Sequence, residues 1–224
     1  MKRKIILTAD GSSSIFSEEA NQHYHSHFGA VQESMHIFID AGLCADSLSH
    51  LTAVSVLEIG FGTGLNALLT CLKAAERQQK IYYETLELYP LSQQEIQQLN
   101  YPDILPYAAV SECFSRLHST AWNKKERVSE NFTLYKRQIS AIGATYPAQT
   151  FDLVYFDAFS PEAQPELWTE AVFKPIYNAM KNKSILLTYC TKGIVKQQLK
   201  ALGFQIEKLS GPVGKREILR AIKW

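Results

Sequence analysis

Val54-Ser-Val-Leu-Glu-Ile-Gly-Phe-Gly-Thr-Gly-Leu-Asn66 decides the fold. Val54, Val56, Leu57 and Ile59 form an apolar run that reaches the acid Glu58 and breaks into Gly60, Gly62 and Gly64. Leu65, Leu68, Leu69 and Leu72 then fall at helical spacing. A buried strand, a tight glycine turn and a helix in that order receive a nucleotide-type ligand at the edge of an α/β sheet. Glycines at the turn permit positive φ and let a ligand approach the backbone closely.

Outward from this stretch the chain alternates strand and helix. The pattern predicts strands at 53–59, 81–88, 131–136, 151–156, 184–190, 204–208 and about 216–223. Helices are predicted at 64–78, 91–99, around 165–180 and at 192–202. Such repetition favours a mostly parallel sheet with helices on both faces. Residues 101–130 read as a polar and aromatic insertion, helical in part. Upstream, residues 2–8 with Asp10-Gly-Ser-Ser-Ser14 predict a hairpin, and 31–42 a helix ending at Gly42. Residues 16–34 are polar and aromatic, unlike a simple connector, and are expected on the substrate side. The expected organisation is one domain over 1–224, with an N-terminal element over 1–50 and a Rossmann-like core over 51–224.

At 224 residues the chain is too short for two full enzyme domains. A net charge of +1 argues neither for nor against a nucleic-acid partner. No apolar run reaches the roughly 18–20 residues that cross a bilayer, and the apolar part of the N-terminus is too short for a signal peptide. Cys44, Cys71, Cys113 and Cys190 are widely spaced, which reads as free thiols in a reducing cytoplasm. His23, His25 and His27 alternate, but no carboxylate or cysteine is spaced to complete a metal set, so no metal is expected.

The glycines are spaced two and two, unlike the Gly-x-Gly-x-x-Gly of dinucleotide binders. This suits S-adenosylmethionine, which has no phosphates requiring a helix N-terminus. Glu87, 23 residues past Gly64, closes the second strand where a carboxylate accepts both ribose hydroxyls. Glu84, three residues earlier, would face the other side of the sheet. Asp157, in Phe156-Asp-Ala-Phe-Ser-Pro161, ends a core strand where α/β enzymes act. An amine attacking a sulfonium methyl must be neutral, aimed in line and relieved of a proton. Asp157, with the Ala158 carbonyl, is placed to do this, and Phe159 or Trp168 to stack on a substrate ring. Lys192, Lys196 and Lys200 read as a solvated helix face, whereas the basic turn Gly211-Pro-Val-Gly-Lys-Arg-Glu217 could contact phosphate.

Together these residues resemble the methyltransferase domain of the bacterial tRNA 5-methylaminomethyl-2-thiouridine biosynthesis (MnmC) family. The resemblance runs through Leu57–Asn66, Glu87-Leu-Tyr-Pro-Leu91, Asp157–Pro161 with Pro165-Glu-Leu-Trp168, Thr188-Tyr-Cys-Thr191 with Ala201-Leu-Gly-Phe204, and Gly214-Lys-Arg-Glu-Ile218. It implies a class I methyltransferase fold, a mostly parallel seven-stranded sheet with an antiparallel last strand, and an N-terminal extension lining the substrate pocket. It implies S-adenosylmethionine as cofactor, held by Glu58, Gly60, Phe61, Gly62, Gly64, Asn66, Glu87 and Asp157. It implies N-methylation of the aminomethyl group of a wobble uridine in the tRNA anticodon loop. Asp157 would be catalytic, with Phe159, Trp168, Lys215, Arg216 and Glu217 on the substrate side. Where the family carries Gly-Asp near the adenine, this chain has Lys136-Arg137-Gln138, and Gly211-Pro-Val-Gly214 replaces Gly-Phe-Gly. The fused FAD oxidase domain of the bifunctional members has no room here, which reads as the stand-alone form. A class I methyltransferase acting on a small-molecule or protein amine, and a non-catalytic cofactor-binding protein, stay open as alternatives, as does the oligomeric state.

Overall fold

The computed structural model describes residues 2–224. Two sheets form: a small three-stranded N-terminal sheet of β1 (Arg3–Leu7), β2 (Ser13–Ser17) and β3 (Gln22–His23), and a larger one of eight strands. The larger sheet contains β4 (Ala53–Ile59), β5 (Lys80–Leu86), β6 (Lys125–Ser129), β7 (Phe132–Arg137), β8 (Phe151–Phe156), β9 (Met180–Thr188), β10 (Gln205–Ser210) and β11 (Glu217–Ile222). Its order is β10-β11-β9-β8-β4-β5-β7-β6. The neighbours from β9 to β7 run parallel, and β11 is antiparallel to both β9 and β10, as a class I methyltransferase sheet requires.

One strand exceeds the expected seven. Residues 101–130 contain the helices Tyr101–Ile104 and Val110–Ser119, but their end folds back as β6, antiparallel to β7 at the sheet edge. Lys125-Glu-Arg-Val-Ser129 reads as polar because an edge strand meets water along one side, and charges there block further pairing. At the other end, the predicted helix over 31–42 begins as Ala30–Ser34 and continues as the π-helical segment Met35–Leu43. Ile37, Phe38, Ile39 and Leu43 of that segment are buried in the core.

Burial explains the apolar runs. The central strands β4 and β8 are covered on both faces, and Leu153, Val154, Tyr155 and Phe156 have no exposed surface. Trp168 lies 4.8 Å from Phe156, 3% exposed, and donates its indole N–H to the Phe159 carbonyl at 2.7 Å. This corrects the expectation that Trp168 stacks on substrate. Its ring belongs to the core, and it acts on the site only by fixing the backbone at Phe159. Among the described residues, no helix is long and apolar enough to cross a membrane.

Candidate active site

The site follows from strand register. Ile59 pairs with Leu86 on one side and Phe156 on the other, so the next residue of each strand, Gly60, Glu87 and Asp157, emerges at one level. The amides of Gly60 and Asp157 extend that ladder, donating to Leu86 O and Ile59 O at 3.0 Å each. Tyr155 pairs with Leu187, which brings Tyr189 alongside Asp157. A cavity of about 470 Å³ opens over these strand ends. Its size is typical of a cofactor-plus-substrate site.

Gly60 forms part of its floor. The residue sits at φ 94°, and a Cβ there would lie 2.7 Å from the Asp157 carbonyl oxygen. Only glycine lets the two strand ends approach so closely. The Gly62 amide donates to Glu87 Oε2 at 3.0 Å, and the Tyr89 amide donates to Oε1 at 2.8 Å. Glu87 is thereby aimed along the wall with acceptor capacity left on both oxygens. Glu84 instead pairs with Arg137 at 2.9 Å on the other face of β5.

Asn66, in the first turn of the helix Leu65–Glu76, donates from Nδ2 to Asp157 Oδ2 at 2.8 Å. Burial pushes the Asp157 carboxyl up to about 7; Glu33 adds to this, while the Asn66 hydrogen bond and Lys215 oppose it. A base with that pKa changes state at neutral pH, where proton transfer from a substrate is most effective.

Glu58 is not on the cavity wall. It lies beneath the glycine turn without exposed surface and accepts from Thr85 Oγ1 at 2.7 Å. Tyr83 and Asn66 stand beside its carboxyl as further hydrogen-bond partners. Burial raises its pKa to about 8. The folded chain therefore retains a proton that the unfolded chain releases near pH 4.5. Each pH unit of that difference is worth about 1.4 kcal/mol, so stability is full below the unfolded pKa and falls as pH rises towards 8. Glu58→Gln, which keeps the acceptor for Thr85, is expected to match the parent near pH 5 and to exceed it by a few kcal/mol at pH 8–9. Denaturant midpoints against pH in ligand-free protein check this. A constant difference at all pH values would contradict it.

The other expected positions divide between the cavity and elsewhere. Phe61, Gly62, Asn66, Glu87, Asp157, Phe159 and Lys215 line the cavity. Gly64 begins the helix behind the wall, with Phe61 and His118 against it. Arg216 is exposed outside the cavity, and Glu217 pairs with Lys208 at 2.8 Å. Of the Lys-Arg-Glu run, only Lys215 faces inward. Lys215 lies in the turn before β11, whereas Glu217 opens that strand and is drawn to Lys208 on the antiparallel partner β10. Lys136 is 1% exposed and donates to the carbonyls of Leu117 and His118, capping the end of the helix Val110–Ser119. The cavity side there is formed by residues 139–142 instead.

Several residues at the site were not singled out by sequence. Glu33 pairs with Lys215 at 2.5 Å and accepts from the Ser26 amide at 2.6 Å. Lys215 Nζ sits 4.2 Å from the Tyr189 ring centroid, and the Tyr189 hydroxyl donates to Ala158 O at 2.8 Å. The N-terminal sheet closes over the cavity. Gln22 donates to Ser160 Oγ and accepts from its amide at 3.1 Å, and Tyr24 packs edge-on against Phe159 at 5.1 Å. The three histidines have separate destinations: His23 against Phe16, His25 to Ser14 Oγ, and His27 against Phe28.

The glycine cradle and the aimed Glu87 fit S-adenosylmethionine. Fold and site thus define a class I methyltransferase. A sequence model of S-adenosyl-L-methionine-dependent methyltransferases matches residues 111–224, and the chain belongs to that family. The tRNA 5-methylaminomethyl-2-thiouridine biosynthesis bifunctional protein MnmC of Nitrosospira multiformis is 28% identical over 214 residues, covering 92% of this chain and 35% of that protein. Its counterpart in Magnetococcus marinus is 28% identical over 218 residues, with 92% and 32% covered. The chain therefore spans about a third of these relatives. The crystal structure of MnmC2 from Aquifex aeolicus superposes with a TM-score of 0.83 at 24% identity, covering 99% of this chain and 70% of that one.

Proposed function

We propose that this chain methylates the aminomethyl nitrogen of 5-aminomethyl-2-thiouridine at the tRNA wobble position, giving 5-methylaminomethyl-2-thiouridine. The observation that carries the reading is Asp157. Its carboxylate, tuned to about 7, stands where the glycine-floored half of the cavity meets the half walled by Phe159 and Tyr189. When bound, S-adenosylmethionine supplies an electrophilic methyl group on a sulfonium. Glu87 would hold the ribose hydroxyls, and residues 139–142 would flank the adenine. Asp157 would hold the substrate amine and take its N–H proton as the N–C bond forms and the S–C bond breaks. The Ala158 carbonyl, with one lone pair engaged by Tyr189, can accept a second hydrogen bond from the amine. The name shared by the two bacterial relatives supports the choice of substrate. A tRNA substrate places the enzyme in the cytoplasm.

The test uses purified protein, methyl-labelled cofactor and tRNA from a strain lacking this enzyme. Label is expected in 5-methylaminomethyl-2-thiouridine after digestion to nucleosides. Label absent from that nucleoside, with transfer to a small-molecule or protein amine instead, would reject the tRNA reading while leaving the methyltransferase intact.

A further inference from the structure

The chain leaving the cavity wall at Ser26 exposes two aromatic rings in succession. His27 and Phe28 lie 4.1 Å apart between centroids with planes inclined by 35°, and Phe28 is 40% exposed despite its apolar ring. The pair is held firmly. The Phe28 amide donates to Ser26 Oγ at 3.3 Å, and the His27 carbonyl accepts from the Ala9 amide at 2.9 Å. The Cδ2–Cε2 edge of the ring lies against Gly214, at φ 86°, where any Cβ would overlap it. Val213, the preceding residue, is 65% exposed. The next residue, Lys215, points into the cavity, and Arg216 after it is exposed and has no ion-pair partner among the described residues. An aromatic shelf, an apolar neighbour and an unpaired cation therefore adjoin the cavity, joined to it through Ser26 and Lys215.

We propose that Phe28, backed by His27, is a stacking platform for the unpaired nucleotide adjoining the target base, with Arg216 on the neighbouring phosphate. The proposal rests on the tRNA reading above. A base whose substituent must reach Asp157 has to leave the loop stack, which costs free energy. Its neighbour then loses a stacking partner, which an aromatic face replaces without regard to sequence. Single-stranded RNA is held in this way, by rings for bases and cations for phosphates. The near-neutral charge of the whole chain is compatible with such a mode, because a short loop requires few phosphate contacts.

The experiment binds an anticodon stem–loop RNA, carrying 5-aminomethyl-2-thiouridine at the wobble position and the fluorescent base 2-aminopurine beside it, in the presence of S-adenosylhomocysteine. Stacking on the protein should change the fluorescence of the wild-type complex. Phe28→Ala and Phe28→Leu should both abolish that change and weaken binding about tenfold or more, and Phe28→Trp should retain both. Leucine fills the space over Gly214 but has no π-face, so it separates stacking from packing. Calorimetry with the cofactor product should give the same affinity for every variant, which reports an intact fold. Wild-type signal and affinity in the leucine variant would overturn the platform while leaving the tRNA reading standing. Failure of the wild-type protein to bind this RNA would remove both.

Discussion

Asp157→Asn is expected to bind S-adenosylmethionine within about threefold of the parent and to lose about 10²- to 10⁴-fold in turnover. The replacement keeps the acceptor that Asn66 Nδ2 now bonds at 2.8 Å, so the strand end and the helix start remain tied. What disappears is the ability to take a proton. In the parent, the carboxyl is pushed up to about 7, mainly by burial. Its ionised form therefore accumulates as pH rises, and kcat/KM should climb through pH 7 before levelling. The asparagine variant has no such group and should lack that limb. The same comparison separates proton transfer from mere positioning. A variant that keeps the pH limb would assign it to another group. Unchanged turnover at saturating substrate would take Asp157 out of the chemistry altogether.

How much of this could be read in advance differs by element. The glycine turn with its flanking strand and helix was legible because both ends are local: a strand with apolar faces, then leucines at helical spacing. Glu87 and Asp157 were legible because both follow apolar runs that had to be core strands, and register does the rest. The edge strand β6 was not. Its charged residues carry no core pattern, and only pairing with β7 defines it. Trp168 failed for the opposite reason, since an aromatic residue near a motif looks the same in sequence whether it faces a ligand or a core. Glu33 and Tyr24 reach the cavity from the N-terminal segment, more than 120 residues before Asp157. No local signal encodes such a contact. The polar, aromatic character of residues 16–34 indicated that the segment does something, without indicating what.

Gly60→Ala is expected to damage both stability and cofactor binding, because two costs fall at one atom. At φ 94°, an L side chain is strained by about 1–3 kcal/mol wherever it stands. Here the new methyl would also lie 2.7 Å from the Asp157 carbonyl oxygen, a backbone atom that cannot rotate out of the way. The strand end must then shift, and with it the carboxylate on the same residue. Each kcal/mol lowers the Tm of a domain of this size by about 2–4 °C, so a fall of several degrees is expected from strain alone. Gly11→Ala supplies the comparison. Gly11 has φ 81° but open space where its Cβ would stand, so it carries the strain without the collision. Both variants should lose stability; only Gly60→Ala should also lose cofactor binding, by about a hundredfold or more, the equivalent of roughly 3 kcal/mol. Scanning calorimetry with and without S-adenosylmethionine measures both terms at once. Ligand stabilisation should vanish in the Gly60 variant and persist in the Gly11 variant. Equal ligand stabilisation in the two would mean that the close approach of the two strand ends is not what shapes the cofactor floor.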